Sequence, residues 1–177
     1  MPNRPLNVDL DEVVEAMDSH LDGTIEWLLD TKTGAVHPVN EEDPDDEGDE
    51  AGDADESNVP SNVLSNVPPW QQEARALAAE IGSNPDRFVS IPQTESFEAY
   101  RVMEEFIPQV DNQRLRDRLS DAIAGKGAFR RFKDVLLSYP DVRQQWFAFE
   151  NDVKRKWAAE WLATLGIEST WQPPRPT

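Results

Sequence analysis

Gly125-Lys126-Gly127 stands immediately before an apolar-periodic stretch. There the free N–H groups of a helix N-terminus and a lysine could cradle a phosphate. The spacing argues against it. A phosphate loop keeps four residues between its glycines and follows its lysine with Ser or Thr, and neither feature is present. The competing reading is a glycine-permitted corner between two helices, with Ala128 small enough for close packing. Phe129 and Phe132, three residues apart, share helical spacing with Leu136 and read as core rather than as a base-stacking platform.

Basic residues gather around the same corner. Residues 114–133 hold Arg114, Arg116, Arg118, Lys126, Arg130, Arg131 and Lys133 against only Asp117 and Asp121. Such a patch could meet phosphates or an acidic protein. Its bland counterpart is a solvated face tied by helical ion pairs such as Arg114–Asp117, Arg118–Asp121 and Arg130–Asp134. Other candidates are weaker. Glu104 and Glu105 are adjacent, so on a helix they diverge by about 100° and would not share one metal. His20 and His37 are isolated, and no Gly-x-Ser-x-Gly elbow offers a nucleophile. With no cysteine, disulfides, thiolate metal sites and cysteine nucleophiles are excluded together. No catalytic residue, cofactor site or metal site is therefore assigned.

Charge is distributed unevenly. The chain of 177 residues carries a formal charge of −18, but residues 40–57 alone contribute 11 acidic residues and no basic one. From Asn58 onward 16 acids meet 15 bases, so the C-terminal two-thirds is close to neutral. The start, MPNRPLNVDLDEV, has no apolar signal core, and no run of 18 uncharged apolar residues occurs. A cytoplasmic protein away from membranes is the expectation.

The elements that must position these residues follow from pattern. Asp9 is the expected N-cap of a helix over about 10–18, with Val8 as a hydrophobic staple. Ile25, Trp27 and Leu29 alternate with Thr24 and Glu26, Thr31-Lys32-Thr33-Gly34 turns, and Ala35–Val39 returns as a strand whose Pro38 belongs at an edge. Residues 40–68, with the acidic run and three Ser-Asn-Val units, read as a disordered insert. Pro69 opens a helix with Trp70, Ala74, Leu77, Ala78 and Ile81 on one face. A third strand at Arg87–Ile91 precedes a helix capped by Thr94 and closed by Pro108. Helices over about 112–124, from Phe129, and over about 142–165 follow, the last ending at Gly166. The expected class is α+β: a small three-stranded antiparallel sheet with five to six helices. The parts would be 1–39 and 69–167 of one domain, the insert 40–68, and a frayed tail at 168–177.

Several motifs occur in a distinctive order. Gly125-Lys126-Gly127-Ala128-Phe129-Arg130-Arg131-Phe132-Lys133-Asp134 is preceded by Ile91-Pro92, Tyr100-Arg101 and Met103-Glu104-Glu105-Phe106. It is followed by Trp146-Phe147 with Phe149, Glu160-Trp161-Leu162 and Gly166-Ile167. The hairpin from Trp27 to Gly34 fits in front. Together they resemble the bacterial group known as uncharacterised protein family 0158. The resemblance implies no activity, cofactor or catalytic residue, because that family has none assigned. The reading from sequence is a non-catalytic protein-binding or adaptor module with an unknown protein partner. Its expected contact surface is Arg114, Arg118, Lys126, Arg130, Arg131 and Lys133. The alternatives are a nucleic-acid-associated regulator using the same basic surface, and an enzyme with an unrecognised site.

Overall fold

The computed structural model describes residues 3–19, 25–40 and 69–173. The expected acidic insert lies outside the described residues, except Asn40, and so does His20. Contacts gather the chain into two compact units, one built from residues of 1–19 and 92–177, the other from residues of 20–91.

The second unit carries the antiparallel sheet. Strand β2 (Ile25–Asp30) is central, paired on one side with β3 (Val36–Asn40) and on the other with β4 (Phe88–Ser90). Gly34 takes φ 85° in the turn, which a residue with a Cβ reaches only at a cost. Pro38 sits on the edge strand, where its missing N–H breaks no ladder. Leu28, Leu29, Phe88 and Ile91 are buried. Helix α2 (Pro69–Ser83) departs from expectation: Ala74 and Ala78 are exposed, and Leu77 and Ile81 are only half-buried. Its periodicity is real, but small side chains on that stripe cover little surface.

The first unit is helical. Helix α1 (Leu10–Asp18) starts at Asp9, whose carboxylate accepts the N–H groups of Asp11 at 2.8 Å and Glu12 at 3.4 Å. Helices α3 (Ser96–Phe106), α4 (Gln113–Ile123), α5 (Ala128–Leu136) and α6 (Pro140–Thr164) follow. The expected cap Thr94 is one residue off. Glu95 is the N-cap and its N–H is taken by the Glu98 carboxylate at 3.0 Å, while buried Thr94 gives its own N–H to the Met17 carbonyl. Pro140 begins α6 rather than preceding it, as suits a residue with no N–H to lose. The core joins Val102, Met103 and Phe106 of α3 to Leu115, Leu119 and Ile123 of α4, Phe132 and Leu136 of α5, and Trp146 of α6. At its centre the ring of Phe132 meets Trp146 edge-on at 4.8 Å, and Phe106 meets Trp146 at 5.2 Å.

One pairing had no signal in the sequence. Strand β1 (Arg4–Leu6) lies parallel to β5 (Ile167–Ser169), so the segment read as a frayed tail at 168–177 opens with ordered backbone. The Ser169 hydroxyl donates to the Val8 carbonyl at 2.6 Å, and the Arg155 guanidinium lies 5.5 Å from the Trp171 ring centre. Asp11 and Arg155 join α1 to α6 through paired bonds of 2.6 and 2.9 Å.

Candidate functional site

The corner before α5 is built by backbone conformation. Gly125 and Gly127 have φ of 84° and 76°, the left-handed region, and Ala128 is buried just after them. Arg131 closes the corner by donating to the Ala124 carbonyl at 2.5 Å. This matches a corner between α4 and α5, with a side chain committed to holding it.

The basic residues of this region have different settings. Arg118 donates to the Tyr139 hydroxyl at 3.1 Å and lies over its ring, in place of the expected pair with Asp121. Asp117 instead accepts from Gln113 at 2.9 Å, and Arg116 binds the Val110 carbonyl at 2.6 Å. Arg130 lies 4.0 Å from Asp134, an exposed contact worth little. Arg114 is exposed on α4 and Lys126 is exposed in the corner. Lys133 reaches a different setting.

Lys133, Leu136 and Leu137 from the end of α5, with Arg143, Trp146 and Phe147 from the start of α6, line a surface groove of about 90 Å3. Leu137 is 61% exposed and Phe147 44%, while Trp146 at the floor is 3% exposed. Phe129, expected in the core, is 40% exposed one turn before Lys133, whereas Phe132 is fully buried. The correction has a plain cause: α5 buries Ala128, Phe132 and Leu136, and Phe129 lies about 100° from Ala128 on the helix. Phe129, Lys133 and Leu137 therefore form an exposed line at i, i+4 and i+8. Arg143 spreads over the Phe147 ring at 5.3 Å. Neither Lys133 nor Arg143 has a carboxylate within 4 Å among the described residues.

Of these groove residues, Lys133 is among the basic residues expected at a contact surface, and Leu137, Arg143 and Phe147 are not. A signal existed. Phe129, Leu137 and Phe147 are each the second of an apolar doublet, Ala128-Phe129, Leu136-Leu137 and Trp146-Phe147, whose first member is buried. Neighbours on a helix point about 100° apart, so a narrow core face seldom takes both.

Other polar constellations are internally satisfied. Asp30 is 2% exposed and accepts from Lys32 N–H at 2.8 Å, from the Thr33 hydroxyl at 2.6 Å and from Arg87 through both carboxylate oxygens at 2.7 and 2.5 Å. Arg87 also pairs with Glu80. The bonds from Arg87 above all hold the Asp30 carboxyl well below the usual carboxylate range, against burial, with the Thr33 hydroxyl and the Lys32 and Thr33 N–H groups helping. Every acceptor position is occupied, which marks a turn and strand clamp rather than a proton carrier. Lys154 bonds Asp18 at 2.7 Å and Glu150 at 2.9 Å. Burial opposes its charge, yet these two carboxylates together raise its pKa. Glu104 and Glu105 are exposed on α3. Among the described residues no group of three or more acidic or histidine side chains could hold a metal ion, and no helix is long and apolar enough to cross a membrane.

Comparison with known proteins adds lineage. Over 165 residues, 93% of this chain and 87% of the relative, the sequence is 25% identical to the UPF0158 protein PA5073 of Pseudomonas aeruginosa. No solved structure matches. The model of the uncharacterised protein family UPF0158 matches residues 62–172, a stretch that contains the whole groove. Spanning more than half of the 177 residues, that match places the chain in the uncharacterised protein family UPF0158.

Proposed function

We propose that this chain is a non-catalytic protein-binding module whose contact surface is the groove between α5 and α6. The observation that supports it is the exposure of Leu137 and Phe147 in one hollow, beside the buried aromatic core that holds Trp146. Scattered exposed apolar side chains such as Phe97 are ordinary, but Leu137 and Phe147 line one hollow, and exposed apolar side chains gathered in this way mark a contact surface. The groove is too small for a metabolite, since ligand pockets usually run to about 300–1,000 Å3. It suits one side chain of a partner.

The test is purification of the tagged full chain, and of its Leu137→Glu variant, from cells that express it. Leu137 is exposed, so the variant should melt with the parent. A protein recovered in fixed proportion with the parent and lost from the variant is the expected result. Identical recovery with both chains would remove the groove from consideration.

A further inference from the structure

Resting on that reading, we infer that the groove takes an acidic protein segment presenting one bulky apolar anchor, rather than a neutral or basic segment. The geometry that points there is a small apolar hollow with a cation on each wall. Leu136, Leu137, Trp146 and Phe147 supply the apolar lining, Lys133 stands on the α5 side, and Arg143 stands on the α6 side. Neither cation has a carboxylate partner within 4 Å among the described residues, although the chain has 35 acidic residues against 17 Lys and Arg. Two unneutralised cations flanking an apolar hollow are a poor match for a cationic or purely aliphatic occupant. They match a segment with Asp or Glu on either side of its anchor.

Size sets the anchor. A dry cavity of about 150 Å3 admits a benzene ring, so about 90 Å3 accommodates a branched aliphatic side chain or part of an aromatic one. The Arg143 guanidinium lies 5.3 Å from the Phe147 ring centre, and the fork of a guanidinium matches an incoming carboxylate. Lys133 adds a point charge one turn before Leu137.

A nucleic acid would meet less. Its charge repeats about every 1.7 Å along a duplex and calls for an extended cationic track, whereas two cations flank an apolar floor here. Arg118 and Arg131 of the same region are already engaged by Tyr139 and the Ala124 carbonyl. The overall charge of −18 further opposes a polyanion, while a short segment samples only the local field within a screening length of about 8 Å.

The experiment is selection of random twelve-residue peptides displayed on phage against the full chain, after depletion on the Leu137→Glu variant. The expected winners carry Leu, Ile, Phe or Trp between at least two Asp or Glu residues. A synthetic winner, followed by fluorescence anisotropy, should lose about tenfold or more in affinity to a Lys133→Glu/Arg143→Glu variant. Exchanging its acids for lysines should restore binding to that variant and not to the parent. Winners that are neutral or basic overturn the acidic partner while leaving the protein-binding groove standing. No enrichment over the Leu137→Glu variant overturns both. Tighter binding of a single-stranded oligonucleotide than of any peptide, lost in the Lys133→Glu/Arg143→Glu variant, assigns the surface to nucleic acid and overturns the inference. Circular dichroism of each variant, with Phe147→Ser as a second groove variant, separates lost binding from lost fold.

Discussion

Two phenylalanines on one helix should respond unequally to the same truncation. Phe132 is fully buried and meets Trp146 at 4.8 Å and Phe106 at 6.4 Å. Phe132→Ala removes that transfer energy and leaves a cavity that three surrounding helices cannot easily collapse, costing about 3–5 kcal/mol. Phe129 is 40% exposed, so only part of its ring leaves water on folding. Scaling about 1.5–3 kcal/mol for a fully buried apolar side chain by that fraction gives about 1–2 kcal/mol for Phe129→Ala, with no closed cavity to add. Urea unfolding of the full chain, followed by tryptophan fluorescence and far-UV circular dichroism, reads the difference. With a slope of about 2 kcal/mol/M, the Phe132→Ala midpoint falls by about 2 M and the Phe129→Ala midpoint by less than 1 M. Equal losses, or a larger loss for Phe129→Ala, would mean that α5 is turned so that Phe129 faces inward. That result refutes both the core assignment and the exposed line of Phe129, Lys133 and Leu137.

Asp30→Asn should cost about 1.5–3 kcal/mol, because charged hydrogen bonds to Arg87 are lost from a buried turn. Since the folded Asp30 pKa is depressed, its stabilisation is complete above the unfolded value of about 4 and declines as pH falls below it. Urea midpoints of parent and Asp30→Asn chains should therefore converge on acidification, and a constant gap from pH 7 to pH 2 would contradict the clamp. Gly127→Ala should destabilise by about 1–2 kcal/mol through its positive φ alone, since no atom lies within 4 Å of an added Cβ. Gly82→Ala, in α2 with the same open space and no positive φ, should instead stabilise by up to about 1 kcal/mol, and melting temperatures of the pair check the contrast.

Local rules made much of the architecture readable in advance. Alternation at Ile25–Leu29, the Gly34 turn and Pro38 set the hairpin and its edge, and apolar spacing with Asp9, Pro108 and Gly166 located most helices. What escaped depends on contacts distant in sequence. The β1–β5 pairing joins three-residue segments more than 160 positions apart, too short to carry periodicity of their own. Asp30 reads as an ordinary turn residue until Arg87 arrives from 57 residues away. At the groove, the basic count around Gly125 drew attention to α4, where Arg116 and Arg118 have local partners. Arg143 fell outside that window, and only the helix–turn–helix geometry of α5 and α6 brings it to Lys133. Phe129 reads as core from spacing alone because helical spacing gives the faces of a helix without saying how wide its buried face is. The apolar doublets held that information in part.

Photocrosslinking from within the groove reads its occupancy in cells. The full chain would carry p-benzoylphenylalanine at position 147, with position 97 on α3, equally apolar and exposed, as the control. After irradiation in cells, a discrete crosslinked protein is expected from position 147, absent from position 97 and abolished by adding Leu137→Glu. The same crosslinks from both positions, or none from position 147 in a chain that remains folded, would contradict a protein-binding groove between α5 and α6.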